Sequence, residues 1–164
     1  MINQELKQRY KKYNKQQLND AFIDACQNND LDILQFLLTS LELTEHADIH
    51  AADDLGFIDA CEQGHLEVVK YLLTSAELTE HADIHSRNDL GFIWASRFGY
   101  LEVVKCLIID MNIDKTTYIE EYLNENKDNK YVQQAIELFN TRDLHHQLNE
   151  NIKDYKEKVK KIKI

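Results

Sequence analysis

Glycine and proline are scarce in this chain, whose 164 residues include four glycines and no proline. So few glycines leave little material for a phosphate-binding loop, and neither a GxSxG nor an HExxH motif occurs. No run of about 18 uncharged apolar residues could span a membrane, and the amino-terminal segment lacks the apolar core of a secretory signal. We therefore expect a protein that is not an enzyme, needs no cofactor, does not enter membranes and folds in a cytoplasm.

Cysteine is also rare. Cys26, Cys61 and Cys106 form no CxxC pair, and three cysteines cannot all pair within one chain. Cys26 and Cys61 are 35 residues apart, and Ser96 continues the same spacing. We expect three reduced, buried thiols that occupy a position suited to a small side chain.

Positive charge is concentrated at the two ends of the chain. The whole sequence has 29 acidic and 19 basic residues, a net charge of −10. Residues 21–151 hold 25 acidic and 8 basic side chains, a net charge of −17, whereas residues 152–164 hold six lysines and two acids. The acidic middle disfavours nucleic acid, because contacts with phosphate supply most of that affinity. It favours a basic protein partner or simply keeps the protein soluble.

A repeat of 35 residues is the strongest positive feature. Phe22, Phe57 and Phe92 open three copies, and the first two copies agree at 19 of the 29 positions compared from each phenylalanine onward. The third copy keeps the LEVVK run and diverges after Ile109. A period of this length indicates a stacked array in which each unit buries its apolar face against its neighbours, and such arrays usually bind other molecules rather than transform them.

Each copy is predicted to contain two short amphipathic helices separated by a turn. The apolar residues of the second copy share one face of each helix: Phe57, Ala60 and Cys61 in the first, and Leu66, Val69, Leu72 and Leu73 in the second. Asp54 and Asp89 precede the first helices and can cap them, while Gly64 and Gly99 permit the left-handed conformation that ends them. The pattern predicts an all-α helical-repeat solenoid.

One motif recurs around the turn and in the link to the next unit. Its residues are Ala60, Gly64-His65, Leu66-Glu67-Val68-Val69-Lys70 and Leu72-Leu73, with Ala-Asp-Ile-His at Ala47–His50 and Ala82–His85. This motif resembles the ankyrin-repeat family, whose unit is a helix, a tight turn, a second helix and an extended finger. The family's Thr-Pro-Leu-His is replaced by Leu55-Gly56-Phe57-Ile58, and the finger is short. Similar repeats occur in ankyrin proteins of giant viruses and intracellular bacteria.

We predict one domain over residues 1–164, closed at both ends by caps because terminal repeats need a cover. Its parts are an amino-terminal capping helix (1–18), three repeats (19–50, 51–85 and 86–115), a degenerate fourth helix pair (116–140) and a carboxyl-terminal amphipathic helix (141–164).

The last segment has apolar residues at heptad spacing: Leu144, Leu148, Ile152, Tyr155, Val159 and Ile162. The helix could pack back on the last repeat or dock on a partner. It could also form a homodimer, for which the self-association residues would be Leu148, Ile152, Tyr155 and Val159.

Histidines repeat at a spacing of four, at His46 and His50 and again at His81 and His85. The spacing suits zinc on a helix, but the repeat places these residues in loops, so we predict no metal site. His50 and His85 are expected to bond to backbone of neighbouring fingers, and His65 to do so at the turn. The acids at 24, 53, 54 and 59 are expected to be capping or solvated.

The family resemblance implies a binding column, because the two residues before the turn glycine project into a concave groove in that family. The column would contain three pairs, Gln27-Asn28, Glu62-Gln63 and Arg97-Phe98. Trp94 is a further candidate, since Trp and Arg are enriched at interface hot spots, although it could instead pack under the fourth helix pair. The opposite wall would comprise Ala52, Asp53, Arg87 and Asn88.

The resulting hypothesis is a non-catalytic module that binds a protein partner through this groove, as an inhibitor or effector of a host or competitor protein. Two alternatives remain open. One is a scaffold that self-assembles through the carboxyl-terminal helix, and the other is an acidic mimic of nucleic acid.

Overall fold

The computed structural model describes residues 2–162, apart from the side chains of residues 159, 161 and 162. Within that span the structure is helical and has no strand, which confirms the predicted all-α class. The helices are α1 (Gln4–Tyr10), α2 (Lys15–Gln27), α3 (Leu31–Thr39), α4 (Ala51–Gln63), α5 (Leu66–Thr74), α6 (Ser86–Phe98), α7 (Leu101–Lys105, continued by a π-helical turn, Cys106–Asp110), α8 (Thr117–Glu125) and α9 (Lys130–Ile162).

Three helix pairs repeat along the chain: α2 with α3, α4 with α5, and α6 with α7. The first helices of the pairs lie side by side, with α4 packed between α2 and α6, and each also contacts the second helix of its own pair. Helix α8 then packs on α6, while α9 contacts both α6 and α7. This arrangement is the predicted repeat solenoid.

Phenylalanines form a column at the centre of the stack. Phe22, Phe57 and Phe92 are at most 1% exposed. Phe139 of α9 extends the column, with its ring centroid 5.6 Å from that of Phe92. The apolar face that each unit shows in the sequence is therefore buried against its neighbour, which is what a stacked array requires.

Two glycines allow the first helices to approach each other closely. A Cβ added at Gly56 of α4 would lie 2.8 Å from Cε1 of Phe22 and 2.9 Å from Sγ of Cys26 on α2. A Cβ at the equivalent Gly91 of α6 would lie 2.9 Å from Cε1 of Phe57. The glycine of the Leu-Gly-Phe sequence at the start of these helices thus permits close packing between neighbouring units.

All three cysteines are buried and unpaired, as predicted. Burial raises the pKa of the Cys26 and Cys61 thiols well above the ordinary range. The Cys106 thiol has a raised pKa for the same reason. The neutral thiols fill space between helices and are poor nucleophiles.

The helix-ending turns are left-handed, as the sequence predicts. Gly64 and Gly99 have φ of 75° and 80° and follow α4 and α6. In the first unit Asn29 takes the equivalent position with φ of 59°. Asparagine tolerates this conformation better than most residues, so the first unit keeps the turn without glycine.

The predicted extended finger between units is wrong, because the chain forms a left-handed turn there. Ala52, Asp53 and Asp54 have φ between 51° and 56°, and the regular right-handed part of α4 begins only after them. The equivalent residues 87–89 before α6 have φ between 49° and 63°. Each such residue costs about 1–2 kcal/mol in an L-chain, so contacts between units must compensate.

A ladder of polar contacts links the start of each first helix to the loop that follows the second helix. Residues 19, 54 and 89 are equivalent, and each side chain accepts a hydrogen bond from the next loop. The bonds run from Asp48 N to Asn19 Oδ1 (2.8 Å), from Asp83 N to Asp54 Oδ1 (3.0 Å) and from Thr116 Oγ1 to Asp89 Oδ2. Asp54 and Asp89 therefore hold the loop that follows their own helix pair, and the predicted capping of their own helices is not what their side chains do.

The loop histidines differ from the prediction at two positions. His50 Nδ1 donates to the Asp54 carboxylate at 2.9 Å, and His85 Nδ1 donates to Asp89 at 2.6 Å, so their ring partners are side chains and not backbone. At the turn, His65 Nε2 does contact backbone, 2.9 Å from the Gln27 carbonyl oxygen. His50 and His85 thus hold the ladder carboxylates in place.

The amino-terminal region also differs from the prediction of one capping helix over residues 1–18. Helix α1 ends at Tyr10, and α2 begins at Lys15 and belongs to the first repeat. A reciprocal capping box between Asn14 and Gln17 starts α2. Tyr10 of α1 is buried against Phe36, so α1 covers the open end of the first unit.

Helix α9 is continuous through the predicted boundary at residue 140. Its amino-terminal part contributes Val132, Ala135 and Phe139 to the core, all fully buried. From residue 144 to residue 158 every residue is exposed. The interpretation that this segment packs back on the last repeat is therefore wrong for residues 144–158.

Candidate functional site

The predicted column residues lie at the carboxyl ends of the three first helices. Five of the six are exposed and Glu62 is half-buried, so all can be reached from solvent. They are Gln27 at the end of α2 and Asn28 directly after it, Glu62 and Gln63 at the end of α4, and Arg97 and Phe98 at the end of α6. One turn upstream, the equivalent positions are Asp24, Asp59 and Trp94.

In the first unit these residues are polar and engaged with backbone. The Asn28 amide donates to the Asp24 carbonyl oxygen at 2.7 Å. The Gln27 carbonyl accepts from the His65 ring. The backbone bonds hold this end of the column in one conformation.

The second unit contributes two carboxylates on one helical face, Asp59 and Glu62. Burial and, next, the negative charge of Glu62 raise the pKa of Asp59, while Arg87 partly offsets them. Two like charges thus lie together in a half-buried setting. A cation from another molecule would be stabilised at this position.

The third unit carries an aromatic cluster, which we define as Trp94, Arg97, Phe98 and Tyr100. The Trp94 and Phe98 rings stack with centroids 5.5 Å apart and an interplanar angle of 11°. The Arg97 guanidinium carbon lies 5.1 Å from the Trp94 ring centroid. Tyr100 continues the cluster with its ring 6.4 Å from Phe98.

The side chains of this cluster differ in how far they are exposed to solvent. Phe98 is 46% exposed and Tyr100 is 36% exposed, whereas Trp94 is half-buried. Burial raises the pKa of the Tyr122 phenol on α8, and the nearby charge of Arg97 partly offsets this rise. The Trp94 side chain is held by Phe98 and Arg97, so the cluster presents a preformed apolar and cationic surface.

The sequence interpretation missed Tyr100 and Asp59. Residues 30, 65 and 100 follow the turn and read Asp, His and Tyr, so an aromatic change beside Phe98 was visible in the sequence. Tyr100 lies against the turn of the preceding unit, where a Cβ on Gly64 would be 2.3 Å from its ring. The sequence predicts a capping or solvated role for Asp59, whereas the structure half-buries this carboxylate near the charge of Glu62.

The predicted opposite wall lies on the left-handed turns instead of fingers. Arg87 donates to the Ala52 carbonyl oxygen at 2.7 Å and lies 3.7 Å from the Asp53 carboxylate. Ser86 Oγ donates to the Asp53 carbonyl oxygen at 2.8 Å. Asn88 is exposed beside them. Arg87 connects the wall to the column, because its charge acts on Asp59 across the space between them.

Among the described residues, no three His, Cys, Asp or Glu side chains are grouped as metal ligands would be. The histidines spaced by four have separate partners: His46 Nε2 donates to the Ser40 carbonyl oxygen at 2.9 Å, whereas His50 binds Asp54. The candidate binding surface of the three first helices offers aromatic stacking, cation–π contacts and ionic contacts.

Helix pairs with tight turns, stacked so that first helices lie side by side, define an ankyrin-type solenoid. The chain belongs to the ankyrin-repeat family: the family model described as "Ankyrin repeats (3 copies)" matches residues 22–119. Neither the curated proteins nor the solved structures contain a match to this chain.

Members of this family generally mediate protein–protein interactions and are generally not catalysts. Across residues 2–162, no helix combines the length and the apolarity needed to cross a bilayer.

Proposed function

We propose that this chain binds a protein partner through the carboxyl ends of α2, α4 and α6. The contact is centred on Glu62, Gln63, Arg97 and Phe98, with Trp94 beneath them. The observation that carries the proposal is the stack of the half-buried Trp94 on the exposed Phe98, with Arg97 against it. Partly buried aromatic and arginine side chains held in one conformation are typical of binding hot spots, and preorganisation lowers the entropy cost of association.

The electrostatics favour a partner with a basic segment. Burial and, next, the negative charge of Glu62 raise the pKa of Asp59, and a cationic side chain of the partner would relieve the repulsion between the two carboxylates. The same partner would place an apolar side chain on Phe98. The protein acts by occupancy, so it blocks, sequesters or bridges the bound protein.

The test is affinity capture from lysate of the natural host with a triple variant, Glu62→Arg, Arg97→Glu and Phe98→Ala. We expect the partner captured by the wild type to be lost, while the thermal melt is unchanged because these side chains are not in the core. Mass spectrometry identifies the partner.

A matched control makes the same types of change on the second helices, with Glu67→Arg, Lys105→Glu and Ile109→Ala. Glu67 and Ile109 are exposed and Lys105 is half-buried. This control should retain the partner. A partner that both variants retain equally would contradict the proposed surface.

A further inference from the structure

We propose that residues 144–162 of α9 form a homodimerisation helix, which pairs antiparallel with the same segment of a second copy of this chain. This helix is distant in sequence from the partner-binding residues proposed above, and the proposal does not depend on them.

The described part of the segment has an apolar stripe that the solenoid leaves uncovered. Leu144, Leu148, Ile152 and Tyr155 are 63%, 55%, 43% and 69% exposed, although their spacing places them on one face of the helix. A helix of this length is marginal in water when nothing packs on it. Burial of the stripe against another helix would supply the missing stabilisation.

The stripe is complementary to itself when one copy is reversed. Its spacing alternates between three and four residues from Leu148 onward, which is the pattern of a two-helix seam. With the helices centred between residues 153 and 154, Ile152 faces Tyr155 of the second copy and Leu148 faces Val159. By sequence, Val159 and Ile162 extend the stripe, although their side chains lie outside those that the structure describes.

Charge favours the antiparallel direction. Lys156 and Lys158 flank the stripe, and reversal places them beside Asn149 and Asn151 of the second copy. A parallel pair would instead set Lys158 against Lys163, and it would bring together the ends that each carry six lysines. Reversal also moves each lysine-rich end toward the acidic body of the other copy, where residues 21–151 have a net charge of −17. Flanking charges of this kind fix the direction of helix pairing.

The experiment is sedimentation equilibrium of the full chain over a range of concentrations. We expect the apparent mass to rise from one chain to two. Ile152→Glu should weaken the dimer at least about 100-fold, since two apolar side chains per dimer are replaced. The matched control Gln147→Glu adds the same charge outside the stripe and should leave the dimer intact. A chain that stays monomeric, or equal effects of the two variants, would overturn the proposal.

A second variant separates loss of the contact from loss of the helix. The double change Leu148→Ala and Ile152→Ala truncates the stripe with a residue of the highest helix propensity. Circular dichroism should show the same helix content for this variant and for the wild type at a concentration where both are monomeric, while at higher concentrations the mass of the variant stays that of one chain. A dimer as stable as the wild type would contradict the role of the stripe.

Direction is tested by oxidising a mixture of two variants of different length that each carry one added cysteine, Leu148→Cys and Val159→Cys. The native cysteines are buried and contribute little. Antiparallel pairing predicts mainly the mixed disulfide, because Leu148 and Val159 face each other. Disulfides only between identical chains would overturn the antiparallel arrangement.

Discussion

Gly56→Ala tests the packing that sets the distance between the first two units. The added Cβ would lie 2.8 Å from Cε1 of Phe22 and 2.9 Å from Sγ of Cys26. Both neighbours are fully buried, so neither can move into solvent to make room. The helix α2 must shift away from α4, or both side chains must leave their preferred conformations.

The expected magnitude is the difference between two effects. An added methyl group in a well-packed core costs about 1–3 kcal/mol, and Ala gains about 1 kcal/mol over Gly inside a helix. We therefore expect Gly56→Ala to lower the free energy of unfolding by about 0–2 kcal/mol, with the upper part of this range favoured by the two close contacts. Gly91→Ala should cost less, because its Cβ would lie 3.2 Å from Sγ of Cys61 and 2.9 Å from the Phe57 ring.

The assay is urea unfolding followed by circular dichroism, with Cys26→Ala and the double variant Gly56→Ala, Cys26→Ala. Removing Sγ of Cys26 opens space beside the new methyl group, so the double variant should be more stable than the sum of the single changes predicts. We expect a coupling of at least about 0.5 kcal/mol, the size that neighbouring residues usually show.

Two outcomes would refute this reasoning. If Gly56→Ala stabilised the protein, the glycine would not be required for close packing. If the two changes were simply additive, Cys26 would not be the side chain that the methyl group meets.

Three further predictions concern single side chains. Asp54→Ala removes the acceptor for the Asp83 N–H and should lower the free energy of unfolding by about 1–3 kcal/mol in urea titrations; an unchanged value would mean that the ladder does not stabilise the stack. Burial raises the pKa of Cys61, so a thiol reagent should label it only at the rate of unfolding, and rapid labelling of the native protein would contradict this. Glu62→Gln should lower the pKa of Asp59 measured by NMR titration. Because folding raises that pKa, Asp59 should make the wild type more stable as pH falls through it, and the variant should show less of this gain.

The repeat length and the apolar faces were sufficient to predict the helix pairs and their stacking. Both are local patterns whose physical meaning does not depend on distant contacts. The turn at Gly64 and the burial of Cys61 followed from the same repeat, because equivalent positions must meet equivalent neighbours. The accessibility of residues 97 and 98 could also be predicted from the sequence, because their position at the end of the helix fixes the direction in which their side chains point.

The connections between units could not be predicted in the same way. Ala52 and Arg87 strongly disfavour left-handed backbone, so local preference argued for an extended link. Contacts made only after stacking, such as those of Arg87 with the Ala52 carbonyl oxygen and of Ser86 with the Asp53 carbonyl oxygen, stabilise the turn instead. The heptad spacing near Leu148 was ambiguous for a related reason, because packing on the body and pairing with a second helix require the same pattern.

Some positions of the repeat are required for stacking and others are not. This difference supports a binding role for the residues at the carboxyl ends of the first helices. The phenylalanine, cysteine and ladder positions are buried in more than one unit and change little between them. Positions 94, 97, 98 and 100 correspond to Asp, Gln, Asn and Asp in the first unit, and all four become aromatic or cationic in the third. Tyr100 packs against Gly64, and the half-buried Trp94 packs against the core. Stacking thus explains two of the four changes, whereas the exposed Arg97 and Phe98 are accounted for by binding of a partner.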